Sequence, residues 1–368
     1  MKVPEINFAT ADAQTMLTGA IKIVEESLGR TIERADPIRL LLDAFISIII
    51  QQRLLIDEAA KMNLLAFSKD EYLDRLGDLV GVARLPASSA TTTVEVELSA
   101  ARESATIINA GTRVTADDTV YFALDEPLVF AAGETKKTAQ ATCTTAGEVG
   151  NGYAAGELDK IVDPQAFLLS IKNITTSAGG ADVESDDSLR DRIHTAPESY
   201  SVAGSEGAYK FHAKSVNPSI TDVAIDSPNP GEVDVYVLTK DGLPAQEVLE
   251  AVDEYLNAKT IRPLTDLVTI KSPTVEEYAV DLSYYINRED ATYAAQICAA
   301  AEAAVDEYIT WQGGKIGRDL NPDELIQRLK NVGVKRVVIR SPQFKELDNF
   351  SVAVCTGQTV TFAGLEDY

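Results

Sequence analysis

Between Ala11 and Arg30, the residues Leu17, Ala20, Ile21, Val24 and Leu28 recur at three- and four-residue steps, which predicts an amphipathic helix stopping at Gly29. Asp36-Pro37 reads as an N-cap followed by proline at the first helical position, opening a second helix that runs to about Phe67 without an internal Gly or Pro. Along it, Leu40, Leu41, Leu42, Phe45, Ile46, Ile48, Ile49, Ile50, Leu54, Leu55 and Ile56 cover more than one stripe. A helix that is apolar most of the way round has to be buried on several sides. The short helical region around it cannot supply that cover, so the pattern predicts a bundle completed by other subunits. Ser68-Lys69-Asp70-Glu71 fits the capping box of a third, short helix through Leu73, Leu76, Leu79 and Val80, ended by Gly81 and Pro86.

After Ala87 the period changes. Thr93-Val94-Glu95-Val96-Glu97-Leu98 alternates strictly, as a half-buried strand does. Short β-rich runs follow at 112–115, 120–124, 128–130 and 138–145, separated by Gly, Asp and Pro, which predicts a small β domain. The acidic stretch Ala178–Asp187 reads as a linker leading into a short helix, 188 to about 194. Beyond it, a helix (205–215), strands (220–225, 232–238), a helix (245–258) and a strand (267–270) form one unit. A strand (278–286), helices (291–309, 322–330) and a strand (335–339) form another, followed by a β-like tail at 350–362. The expected fold class is therefore α+β and multidomain. Its expected parts are an N-terminal helical region (1–86), a β-rich domain (87–177), a linker with a short helix (178–203), two compact α+β modules (204–272 and 273–341) and a C-terminal tail (342–368).

Composition narrows the function. With 33 Lys+Arg against 57 Asp+Glu the chain carries −24, which argues against nucleic acid or an anionic membrane as partner. No apolar run is long enough to span a bilayer, so direct membrane insertion is not expected. Met-Lys-Val-Pro-Glu-Ile-Asn-Phe lacks the features of a signal peptide, and Cys143, Cys298 and Cys355 are unpaired in spacing. Both point to synthesis in a reducing cytoplasm, with the cysteines as small core hydrophobes.

Candidate chemistry is sparse. His194 and His212 are the only histidines, no Gly-x-Ser-x-Gly elbow exists, and the carboxylates are dispersed over many helical faces. Gly313-Gly314-Lys315-Ile316-Gly317 lacks Walker spacing and reads as a turn between helix and strand. The acidic loop at 182–187 lacks the central glycine and closing Glu of a calcium loop. No catalytic, cofactor or metal residues are assigned. The candidate interaction residues are Leu41, Phe45, Ile48, Ile49, Leu54 and Leu55 on the apolar helix. Four basic residues join them, Arg262, Lys335, Arg336 and Arg340, as partners for acidic patches on neighbouring subunits.

Several segments, in order, resemble the baseplate J-like family of contractile phage tails. They are Tyr72–Gly77 through Val82-Ala83-Arg84, Ala110–Val114 with Tyr121-Phe122, Ala146-Gly147 through Gly150-Asn151, and Gly179–Asp182 with Glu184–Arg190. Ala203–Tyr209, Pro230–Val233 and Ile261–Asp266 continue the likeness, and Asn109 departs from it where the family pattern has proline. The resemblance implies a non-enzymatic baseplate wedge subunit of a phage, tailocin or related injection machine. It also implies partners: other wedge subunits, further copies of the chain, and sheath-initiating and hub-proximal tail proteins in a sixfold assembly. The place implied is the baseplate of the tail particle. Two rival classes are a receptor-binding or adhesin-type tail protein using the β domain, and a carboxylate-based hydrolase.

Overall fold

The computed structural model describes residues 6–201 and 204–367. Met1–Glu5, read above for a signal peptide, and Ala203 of the Ala203–Tyr209 motif lie outside the described residues. The chain is α+β and multidomain, as its periodicity predicts, and it divides into two compact units.

The first unit takes in residues 6–84 together with Ser185–Ala196. Helix α1 (Ala13–Leu28) is capped by the Asp12 carboxylate and closed by Gly29, whose φ of 63° is the left-handed conformation glycine adopts without strain. Helix α2 (Pro37–Lys61) starts where expected, the Asp36 carboxylate accepting from the Ile38 N–H. It ends six residues before Phe67, in a run of turns. Helix α3 (Asp70–Asp78) corrects the capping-box expectation: Ser68 is buried and its hydroxyl makes no cap. The Asp70 N–H instead donates to Asp186 Oδ2 at 3.0 Å, a carboxylate 116 residues on. Asp186 opens helix α4 (Asp186–Thr195), which Ser185 caps. The Asp70 amide first, and then Arg84, hold the Asp186 carboxyl below its ordinary range. Arg84 also reaches Asp74 at 2.7 Å, and Arg190 donates to the Leu65 and Ser68 carbonyls.

The second unit contains residues 85–184 and 197–367. Strands β1 (Thr91–Leu98), β2 (Thr106–Ile108), β3 (Arg113–Thr115), β4 (Tyr121–Leu124), β5 (Leu128–Phe130), β6 (Lys136–Cys143), β7 (Lys160–Ile161) and β8 (Leu168–Asn173) make the β domain. Six of them form one sheet in the order β7-β3-β4-β6-β1-β8 around a core of Val94, Val96, Phe122, Phe130 and Ile171. Cys143 is buried in this core, and Cys298 and Cys355 pack half-buried against another.

Helix α5 (Glu206–Lys214), β9 (Ile220–Asp226), β10 (Glu232–Thr239), α6 (Gln246–Leu256) and β11 (Leu267–Lys271) follow, with the sheet order β11-β10-β9. Then come β12 (Thr274–Asn287), α7 (Ala294–Gly313), α8 (Pro322–Asn331), β13 (Val334–Ser341) and β14 (Ser351–Glu366). Their sheet order is β13-β12-β14, so the C-terminal stretch pairs in parallel along the whole of β12. The Gly313–Gly317 turn joins two helices rather than a helix and a strand. No helix among the described residues is long and apolar enough to cross a membrane.

His212 sits half-buried on α5 against Phe211 and Tyr255, its Nδ1 unpartnered. Burial lowers its pKa below the ordinary value of 6.5. The unfolded chain therefore binds the proton more tightly, and stability is lost as pH falls from about 6.5 toward the depressed folded value. Denaturant midpoints measured between about pH 7.5 and pH 5 should fall, and the His212→Phe variant should flatten that dependence.

Candidate interaction surface

The helical hairpin of the first unit presents the most exposed apolar surface. One stripe of α2 faces its own chain. Ile46 and Asp57 are its buried side chains, and Arg53, one turn before Asp57, donates to the Thr10 carbonyl. The Asp57 carboxylate accepts from the Phe8 N–H at 2.6 Å and from Ala9, and pairs with Lys61 at 2.7 Å. Lys61 first, and then the Phe8 amide, keep its carboxyl below the ordinary range.

The other side of α2 is bare. Leu41, Phe45, Ile48, Ile49, Leu55 and Ile56 are each 43–58% exposed. Leu41, Phe45, Ile48, Gln52 and Leu55 follow one another at steps of four, three, four and three, the repeat of a coiled-coil seam, with Ile49 and Ile56 beside it. Leu54 lies off this seam and shares another shoulder with Leu40, both also exposed. Single exposed leucines need no explanation, but a contiguous apolar run of this size is more than an isolated chain usually leaves in water. Helix α1 adds Ile23 and Leu28 to the exposed apolar residues of the hairpin.

The basic candidates do not gather into a patch. Arg262 is half-buried with its guanidinium 3.5 Å from Asn257 Oδ1. Lys335 reaches the Glu366 and Asp367 carbonyls, and Arg336 stacks 4.0 Å over the Tyr285 ring while pairing with Glu366. Arg340 pairs with Asp281 at 2.7 Å and donates to Ser283. Arg336 and Arg340 thus have carboxylate partners within the last sheet.

Some of the ordered motifs find a physical reason in the structure, because they bond to one another. Asn151 clamps Gly180 from both sides, its Nδ2 donating to the Gly180 carbonyl at 2.8 Å and its Oδ1 accepting the Gly180 N–H at 2.9 Å. Asp182 accepts from the Glu148 N–H at 3.1 Å. Tyr209 donates to Asp266 Oδ2 at 2.7 Å, so the Ala203–Tyr209 and Ile261–Asp266 motifs close on each other. Burial, with Asp266 adding to it, raises the Tyr209 phenol above its ordinary pKa. Nothing in residue spacing signals these pairings, because partners lie 29 to 57 residues apart. A cleft of about 330 Å³ opens beside the Asn151 clamp, lined by Glu148, Ser177, Ser219, Asp241 and Leu243 among others. Neither histidine lines it, and Glu148 is engaged by Lys240.

Three family models match in chain order: the baseplate J-like protein barrel domain over residues 93–180, the baseplate J-like central domain over 201–272 and the baseplate J-like protein C-terminal domain over 280–363. Baseplate protein J of Escherichia phage P2 is 33% identical over 188 residues, which is 50% of this chain and 61% of that protein. The chain thus spans about three-fifths of the length of that relative. Among solved structures, a chain of the sixfold-symmetrised cryo-EM structure of the anti-feeding prophage baseplate aligns over 92% of this chain and 90% of its own, at a TM-score of 0.40 and 14% identity. The chain belongs to the baseplate J-like protein family.

Proposed function

We propose that the protein is a structural baseplate subunit of a contractile tail, in a phage, a tailocin or a related injection machine, and that its place there is in the wedge. The observation that carries this reading is the seam Leu41–Phe45–Ile48–Leu55 on α2, a surface with coiled-coil spacing that the described residues leave more than half exposed. Membership of the baseplate J-like family supplies the setting. Helices from wedge partners or further copies of the chain would complete the bundle around α2. The β domain and the α+β modules would then make the lateral contacts toward sheath-initiating and hub-proximal proteins. The role is one of support: the subunit holds the sheath in its extended state and passes on a rearrangement when the tail contracts. That relay requires interfaces with two arrangements of similar free energy.

The test is electron microscopy of tail particles from the producing cell with this chain carrying a visible tag. Extra density repeated around the baseplate is the expected result. Particles lacking the chain, or tag density confined to the tail tip or fibres, would overturn the wedge reading.

A further inference from the structure

The second unit holds two joints between its modules, and they are built differently. Between the two α+β modules, only Ser272 and Pro273 separate β11 from β12, and the proline fixes one φ angle of that short link. Val233, Val235 and Val237 of β10 pack with α5 and α6, while Leu238 turns the other way. There Leu238, Ile316 and Val352 form one buried cluster with Ala224 and Tyr236 against it. The Tyr236 ring stacks on Phe350 at 4.8 Å, and the Asp222 carboxylate accepts the Ile316 N–H at 2.9 Å. Dry, close-packed contact of this kind holds two modules as one body.

The joint between the β domain and the first α+β module is polar and open. The two cores are separate clusters. The chain leaves the β domain after β8, runs through α4 of the first unit and returns at α5, so no short link ties the modules. The cleft of about 330 Å³ opens here, with Glu148, Asn151 and Ser177 on one wall and Ser219, Asp241 and Leu243 on the other. Asn217 Nδ2 reaches across to the Gly179 carbonyl at 3.3 Å, and Lys240 pairs with Glu148. The side chains of that pair are 31% and 45% exposed, and ion pairs standing in water hold weakly and are screened by salt. Ser219 is buried in its wall, and its hydroxyl has no partner among the described residues. An unpartnered buried hydroxyl disfavours the arrangement that buries it, and water entering a wider cleft would relieve it.

We propose that the protein bends at this cleft: the β domain swings against one rigid arm made of both α+β modules and β14, and the Lys240–Glu148 pair is the latch that holds the cleft closed. Weak, screenable bonds on one side of the first α+β module and dry packing on the other leave the bend one place to form. This deepens the relay reading by naming the joint that has two arrangements, and it rests on that reading only for its role in a tail. In the isolated chain the bend stands or falls alone, whatever tail microscopy finds.

Amide residual dipolar couplings of the full chain, weakly aligned in a neutral gel, test it. At low salt the three modules should fit a single alignment. In ~1 M salt, where the screening length falls to about 3 Å, the couplings of 91–173 should shrink by at least about a quarter relative to the rest, as those of a reorienting module do. The Lys240→Gln variant, altered at a partly exposed side chain, should show the same loss at low salt and no further response to salt. Couplings of 220–271 and 274–366 should share one alignment throughout. One alignment for all three modules under every condition overturns the proposal. So does a last sheet that departs from the first α+β module, or a Lys240→Gln chain that matches the unaltered one at both salt levels.

Discussion

Replacing Gly180 with alanine is expected to destabilise the second unit by about 3 kcal/mol, at the upper end of what overpacking usually costs. A Cβ at this position would stand 2.4 Å from the Gly147 carbonyl oxygen, 2.9 Å from Asn151 Oδ1 and 3.1 Å from the Ala90 amide nitrogen. Two of those three atoms are backbone, held by the ladder of bonds that includes Gly147 N–H to Ser88 O and Cys143 N–H to Ala90 O. They cannot step aside one at a time. The Asn151 clamp on Gly180 has to open, leaving amide groups without partners in a half-buried site. Chemical denaturation followed by hydrogen exchange in 85–184 measures the loss. Gly19→Ala gives the opposite sign: nothing lies within 4 Å of a Cβ there, so removing a helix-interior glycine should stabilise α1 by up to about 1 kcal/mol. Equal effects from the two substitutions would show that backbone entropy, not close approach, governs both.

The periodicity of the chain announces the helices and long strands because each is a local property of some ten residues. Strands β2 and β7, of three and two residues, show no period of their own and, unlike the equally short β3 and β5, fall outside the β-rich runs. Helix α3 forms where expected, but its cap differs for another reason. Ser68-Lys69-Asp70-Glu71 is a sound local cap, yet tertiary structure buries Ser68 and brings Asp186 to the first amide instead. The pairing of β14 with β12 joins residues about 77 positions apart, and no spacing rule reaches that far. The 178–203 stretch reads as a linker from its Gly and acids, while in the structure Ala178 and Ala181 bridge to Thr91 and Ser88.

For the interaction surface, the excess of apolar residues on α2 is legible in the sequence, but the face left bare is not. That depends on where the preceding chain packs, and the bonds of Arg53 and Asp57 to Thr10 and Phe8 form only once it has folded. The basic candidates show the converse. A Lys or Arg in an acidic chain reads as a charge awaiting a partner, and the partners of Arg336 and Arg340 lie 30 and 59 residues away, on β14 across β12 and on β12 itself.

Placing Glu at both Phe45 and Ile48 should leave the isolated chain as stable as before, within about 0.5 kcal/mol, while abolishing its incorporation into tail particles. Both side chains are 55% exposed, so the folded monomer accommodates the charge in water. In a completed bundle the same two positions face a partner helix, and an unpaired carboxylate there has to be desolvated, at a cost of several kcal/mol. Two such charges correspond to a loss of affinity well beyond a hundredfold. The informative contrast is Ile46→Glu, one residue away, where the side chain is only 9% exposed and belongs to the inward stripe. That variant should lose the α1–α2 hairpin itself, seen as a drop in helical circular dichroism. Gln52→Leu separates affinity from specificity, because it removes the one polar group of the seam. A polar residue at a single seam position fixes register and partner number at the expense of stability. The leucine variant should therefore associate more tightly and less selectively, forming mixed oligomers on its own while entering fewer particles. A double-Glu chain that enters particles at the normal level would show that the seam meets solvent in the assembly, and the subunit would then have to be held by its other modules.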